Sequence, residues 1–244
     1  LRDDVLNAKP TICIDRARYY TQVYRDHPEL SVITKRALAL ERTLKEMTIF
    51  IEDGALIVGN QASRLRAAPI FPEYAVEWIR NEIDDFENRP GDRFYETEKV
   101  KPELLEICDY WDGHTTLEKG RALMSPHLRE IHEANIIRAE GNLTSGDGHI
   151  AVDDERILRE GLAAYVDLVL DKLGDIDPTT KEGLKKRLFY EALLTSLTSF
   201  QAFIRRYADL ATEQAENAED SDRRSELETI AENCRVIAEQ PPQS

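Results

Sequence analysis

The sequence is short of positive charge. Its 32 lysines and arginines face 47 aspartates and glutamates, which leaves a net charge of −15. A surface that negative repels phosphate backbones and anionic headgroups, which argues against nucleic acid and membranes as partners. Long apolar runs are missing as well. No stretch approaches the ~20 residues that a membrane helix needs, and the first residues do not form a signal peptide. The chain opens on Leu1 rather than on methionine, as expected of an excised or incomplete polypeptide. Cysteine is scarce: Cys13, Cys108 and Cys234 lie far apart with no paired spacing. That excludes a zinc knuckle or a disulfide framework and fits a reducing cytoplasm. Apolar neighbours surround each cysteine, so they are read as small helix residues rather than nucleophiles.

What is present is helical periodicity. At 244 residues, 41% hydrophobic and 32% charged, the chain can bury a core as one large domain or two small ones. Between Ser31 and Met47, Ile33, Ala37, Leu40, Leu44 and Met47 recur three and four apart, which predicts one buried helical stripe capped by Ser31. Glu73 to Phe86 repeats the pattern with Val76, Ile79, Ile83 and Phe86. Pro102 opens a helix carrying Leu104, Ile107, Cys108 and Trp111, and Ser125-Pro126 opens another towards Ile137. Asp153 or Asp154 caps a helix through Lys172. A long helical stretch follows Asp177-Pro178, with no Gly or Pro between Leu184 and Gln240, so only the polar residues Asn217 to Asp222 offer a break. Ile49 to Asn60, with β-branched residues on both sides of Asp53-Gly54, is a hairpin candidate. Asn60 to Pro72 and Glu140 to Ala151 are long irregular loops, where chemistry is best sought.

The second loop is the most informative stretch. Gly141, Gly146 and Gly148 fall within eight residues and let the backbone turn tightly and approach a ligand closely. Arg138, Glu140, Asn142, Asp147 and His149 stand among them. An arginine offers a rigid fork of donors for a carboxylate or sulfonate, and a histidine relays protons near neutral pH. The plainer reading is a glycine-rich connection whose polar groups satisfy only the backbone. A phosphate cradle is disfavoured, because no apolar strand precedes the loop and no Lys-Ser/Thr ends it. His127 and His132 are five apart, not the three or four that puts two ligands on one helical face, so no metal pair is expected. Arg64 and Arg66, beside Pro69 and Pro72, are expected to form buried ion pairs. The acidic run from Glu213 to Glu228 reads as a solvated helical face.

Several stretches in order resemble the N-terminal region of the glycyl-radical enzymes, the group of pyruvate formate-lyase-like proteins. They are Lys35-Arg36-Ala37-Leu38-Ala39-Leu40-Glu41, Ile51 to Asn60, Phe71-Pro72-Glu73, Tyr110-Trp111-Asp112-Gly113 with Thr115-Thr116, Gly148-His149-Ile150, and Arg206-Tyr207-Ala208. The resemblance spans the chain almost from end to end. It implies a mainly α segment, residues 1–244, that forms the N-terminal helical portion of an enzyme whose full chain is a ten-stranded α/β barrel. Family members are much longer. Their thiyl-forming cysteine sits in a Gly-Cys-Val-Glu-like loop and their radical glycine in an Arg-Val-x-Gly-Tyr-like motif, and neither occurs here. The segment alone is therefore expected to be inactive and to bind no metal or cofactor of its own. The whole enzyme would use a protein-derived glycyl radical installed by a radical-SAM activase, would act on a small-molecule substrate in the cytoplasm, and could form a homodimer. By the same resemblance Arg138 and Asn142 bind substrate, matching an arginine and amide pair that holds a sulfonate, and His149 is a catalytic and substrate-binding residue. C–S cleavage of a hydroxyalkane sulfonate is the leading expectation. A glycerol or diol dehydratase, or a formate C-acetyltransferase-like enzyme, is the alternative. A helical interaction module without catalysis is the alternative of another class.

Overall fold

A computed structural model describes residues 1–137, 143 and 151–243. Its elements in chain order are α1 (Arg2–Asn7), β1 (Thr11–Cys13), α2 (Asp15–Asp26), α3 (Val32–Glu46), β2 (Ala67–Pro69), α4 (Glu77–Glu82), two 3₁₀ turns (Ile83–Asp85 and Thr97–Lys99), α5 (Lys101–Trp111), α6 (Thr116–Ala122), α7 (Pro126–Glu133), α8 (Asp154–Gly174), α9 (Lys181–Asn217) and α10 (Ser221–Ile237). They fall into two units. A long-helix unit comprises Leu1–Asn7, Gln22–Leu65 and Val152–Ser244, and a short-element unit comprises Ala8–Thr21 and Arg66–Ala151.

The long-helix unit is built on α9, a 37-residue helix packed against α3, α8 and α10. The run without glycine or proline is realised as α9 and α10, interrupted where expected: Asn217 ends one, and the Asp220 carboxylate accepts from the amides of Asp222 and Arg223 to start the other. The buried face of α9 includes Gly183, Ala192, Ser199, Ala208, Ala211 and Ala215. Small residues there let neighbouring helices approach closely. On α3, Ser31 is the N-cap as expected, but the buried side runs through Ala37, Ala39 and Thr43, while Ile33 is exposed. Asp153 caps α8, which is broken at Gly161 (φ 73°, ψ 175°). The freed amide of Ala163 donates to the carbonyl of Glu239 at 2.8 Å.

The expected hairpin over Ile49 to Asn60 does not form. Its carbonyls are instead taken by a side chain of α10: the Arg223 guanidinium donates to the carbonyls of Glu52 and Ala55, at 2.9 and 3.0 Å. The Asn60 amide donates to the Tyr207 hydroxyl at 3.0 Å. These helix side chains take two carbonyls and an amide of the segment that a hairpin would have paired across strands.

In the short-element unit β1 pairs in parallel with β2, Thr11 opposite Ala67 and Cys13 opposite Pro69. The sequence pattern missed both three-residue strands, and it placed Cys13 on a helix where it lies on β1. Large side chains fill the core here: Ile79, Phe86, Leu104 and Trp111 are all buried. All four apolar positions expected between Glu73 and Phe86 are inside, yet α4 starts only at Glu77. Glu73 is used as an ion-pair partner, and its carbonyl accepts from the Thr116 amide.

Candidate functional site

The three residues expected to face substrate, Arg138, Asn142 and His149, lie outside the described residues. The structure does describe what leads into and out of that stretch. Ser125 caps α7 by accepting from the Leu128 amide, Pro126 occupies the first turn, and the helix ends at Glu133, well short of Ile137. Asn135 then turns in the left-handed region (φ 57°), and Ile136 and Ile137 are exposed. Beyond the stretch the chain resumes at the Asp153 cap of α8.

Two polar cavities flank this part of the short-element unit. One, about 330 Å³, is lined by Arg121, Met124, Arg129, His132, Glu133 and Asn135. It offers two guanidinium groups and an imidazole at the end of α7, just before residue 138 in the chain. The other, about 320 Å³, is lined by residues including Glu77, Arg80, Asp112, Thr115, Glu118 and Arg121. Its charged groups hold one another. Arg80 pairs with Asp109 and Arg121 with Glu77, each at 2.8 Å. Glu118 closes a capping box, accepting from the Thr115 hydroxyl and amide and from the Gly113 amide. Burial disfavours the Glu118 anion, but those three donors outweigh it and hold the carboxyl below its usual range. A carboxylate so engaged makes a poor general acid or base. Among the described residues, no group of three or more His, Cys, Asp or Glu is placed to hold a metal ion.

The cysteines are not nucleophiles in waiting. All three are buried thiols. Burial pushes Cys108 up to about 11 and raises Cys234 as well, so neither is a thiolate near neutral pH.

Several of the motifs that carry the resemblance fasten elements together. Phe71 and Tyr20 sandwich the Arg16 guanidinium at 3.8 Å each. Arg16 grips Glu73 with two donors, at 2.5 and 3.1 Å, and reaches the Ile70 carbonyl. Trp111 donates its indole N–H to the Thr21 hydroxyl at 2.9 Å. In the long-helix unit Arg206 donates to the carbonyls of Leu44 and Met47, at 2.6 Å each, and so closes the end of α3. Burial raises Tyr207 above the usual phenol value, opposed by the Asn60 amide it accepts from. The buried ion pairing assigned to Arg64 and Arg66 belongs to Arg16 instead: Arg64 and Arg66 are exposed, and Arg66 donates to the Ala8 carbonyl. The missed signal was the buried carboxylate of Glu73, which demanded a cation from elsewhere in the chain.

Comparison with known proteins gives the following. A family described as pyruvate formate lyase-like matches residues 1–244. A probable dehydratase of Escherichia coli (strain K12), YbiW, is 42% identical over 97% of this chain and 29% of its own length. The (2S)-3-sulfopropanediol dehydratase of Klebsiella oxytoca is 35% identical over 100% of this chain and 30% of its own. The glycerol-bound B12-independent glycerol dehydratase of Clostridium butyricum superposes with a TM-score of 0.95 at 30% identity, over 100% of this chain and 31% of that one. The chain thus spans about 30% of the length of the proteins it matches.

Proposed function

The chain belongs to the pyruvate formate-lyase-like family, and on that premise we propose that it is the N-terminal, substrate-facing portion of a glycyl-radical dehydratase acting on a small diol that bears a sulfonate. The observation that carries this is the fold match to a glycerol dehydratase along the whole chain, joined to the sequence set Arg138, Asn142 and His149. A glycyl radical, relayed through a cysteine outside these 244 residues, supplies the hydrogen-atom abstraction and return. This segment supplies binding and proton transfer. Arg138 presents two parallel donors to the sulfonate and Asn142 adds an amide N–H, while His149 hands a proton to the departing hydroxyl so that it leaves as water. A chain with a net charge of −15 repels an anionic substrate at long range, so a local guanidinium is what makes such a substrate bindable.

The reading first drawn from the sequence, C–S cleavage, stands second. The arginine and amide pair favours it equally, since it grips the same sulfonate. Loss of water is preferred because the two relatives at 42% and 35% identity are both named dehydratases.

The test is anaerobic turnover by an enzyme carrying this segment, activated by a radical-SAM activase and offered dihydroxypropanesulfonate, glycerol and isethionate. The sulfonated diol should give a dehydrated aldehyde and no sulfite. Arg138→Ala should lower kcat/KM for it about 10- to 100-fold, the value of a charged hydrogen bond, and leave glycerol turnover nearly unchanged. Sulfite release would move the assignment to C–S cleavage. Glycerol turned over in preference to the sulfonate would make it a plain diol dehydratase.

A further inference from the structure

A glycine in a helix interior needs a reason, because no residue but proline is less favourable there. α6 is too short to be held by its own turns, yet it carries Gly120 inside it. The backbone does not require this glycine: φ is positive at Gly54, Gly59, Gly113 and Gly161, and Gly120 is not among them. A neighbour does. A Cβ added at Gly120 would stand 2.8 Å from Cδ1 of Leu143, 3.3 Å from its Cδ2 and 3.6 Å from its Cγ. Both methyls and the branch carbon face the glycine, so turning the last torsion of Leu143 trades one methyl for the other and clears no space. Carbon atoms pack best at about 3.5 Å or more, so Leu143 would have to retreat by roughly 0.7 Å. The helix would not give way first. The amides of Thr116 and Leu117 donate to the carbonyls of Glu73 and Tyr74, at 2.9 and 3.0 Å. Leu117 is buried, and Arg121 pairs with Glu77 at 2.8 Å.

We propose that Gly120 is a positioning residue for substrate binding: the space it leaves on α6 seats Leu143, and that seat sets where Asn142 meets the sulfonate. Leu143 is bonded directly to Asn142 and lies between Arg138 and His149 in the chain. A displacement of Leu143 is therefore handed on to Asn142 through one peptide unit, whose length is fixed. Binding groups tolerate little of this, since a misplacement of about 1 Å can cost up to about 100-fold. Gly120 acts only through Leu143 and takes no part in the chemistry. The inference rests on the substrate reading above for the role of Asn142, and it adds the residue that fixes the placement of that amide.

The experiment measures kcat, KM and thermal midpoint for the activated enzyme carrying this segment, in four forms: parent, Gly120→Leu, Leu143→Ala and the double variant, with Gly120→Ala as a milder step. Gly120→Ala should raise KM for dihydroxypropanesulfonate several-fold and Gly120→Leu at least about tenfold, with kcat and the KM for glycerol within about twofold of the parent. Thermal midpoints of both Gly120 variants should be no lower than the parent's, because alanine and leucine are better helix formers than glycine. Once Leu143 is cut back to alanine, adding Gly120→Leu should change KM less than about twofold, since the two positions act as one contact. A sulfonate KM indifferent to Gly120→Leu would overturn the proposal. So would a rise that is just as large in the Leu143→Ala background, or a loss on both substrates that tracks a falling midpoint, which would make Gly120 a packing residue only. An enzyme that turns over glycerol or isethionate and not the sulfonated diol would refute the substrate reading alone. The seat is then read from the KM of that substrate in the same four forms: a rise that depends on Leu143 supports it, and no such rise overturns it.

Discussion

The two units differ in how many small residues line their helix contacts. In the short-element unit the large apolar groups are inside: Phe86, Ile79, Leu104 and Trp111 are buried. In the long-helix unit α9 buries the small residues Ala192, Ser199, Ala208, Ala211 and Ala215 beside the larger Gln201, Phe203 and Tyr207, while Leu184, Phe189 and Phe200 are exposed. Small residues inside let long helices close on one another. The short-element unit therefore closes a core of its own, with buried polar fasteners. The long-helix unit packs mainly through small residues and exposes Leu184, Phe189 and Phe200 on α9.

The largest expected effect tests the buried fasteners. Arg16 and Glu73 are 15% and 7% exposed at their side chains, so Arg16→Ala strands a buried carboxylate and should cost about 3–5 kcal/mol. The measurement is urea unfolding with two probes. Both tryptophans, Trp78 and Trp111, lie in the short-element unit, so fluorescence reports that unit, while far-UV circular dichroism is weighted to the long helices. A fluorescence midpoint that falls well before the dichroism midpoint supports separate units. A coincident shift of both would mean that the two unfold as one and would break the comparison.

The next effect belongs to the long-helix unit. Gly161 holds a φ of 73° and ψ of 175°, a region open essentially to glycine alone. A Cβ there would stand 2.5 Å from the Gln240 carbonyl carbon and the Pro241 nitrogen. Gly161→Ala should cost about 2–4 kcal/mol, backbone strain and overpacking together, and should appear in dichroism before fluorescence. A change below about 1 kcal/mol would mean that the segment Glu239–Pro241 is not seated on the kink of α8.

The longer helices α3, α5, α8, α9 and α10 and the caps Ser31, Ser125 and Asp153 were legible in the sequence, because 3.6-residue periodicity and such caps are local signals, whereas α1, α2 and α6 went unread. What was not legible was set by partners distant in the chain. The segment over Ile49 to Asn60 had the composition of a hairpin, but its backbone is claimed by Arg223 and Tyr207, more than a hundred residues away. Gly161 lies inside the helix expected through Lys172, and only the return of Glu239 shows why a glycine stands there. The Arg16 and Glu73 pair is separated by 57 residues, and no window-based pattern connects them. Of the candidate site, the residue types were readable in Arg138, Asn142 and His149. Several resemblance motifs in the described residues, Phe71-Pro72-Glu73, Trp111 and Arg206-Tyr207, hold scaffold elements together.

The smallest effect sharpens the comparison within the short-element unit, where polar capping substitutes for helix length. α6 spans seven residues, too short to be stable by hydrogen-bonded turns alone. Thr115→Ala removes one half of its capping box and should cost about 1 kcal/mol. The other half is titratable. Glu118 is held below the usual carboxylate range in the folded chain, against the pull of burial, by the Thr115 hydroxyl and the amides of Gly113 and Thr115. The unfolded chain binds the proton more readily, so this contribution is complete above the ordinary carboxylate pKa and is lost as pH falls through the lowered one. Amide exchange at Gly113 and Thr115, followed downward from neutral pH, should stay protected through the usual glutamate range and rise only below it. In Glu118→Gln the rise should vanish, because the amide does not titrate. Deprotection that persists unchanged in Glu118→Gln would locate the acid-sensitive group elsewhere, and the cap on α6 would then be an ordinary neutral one.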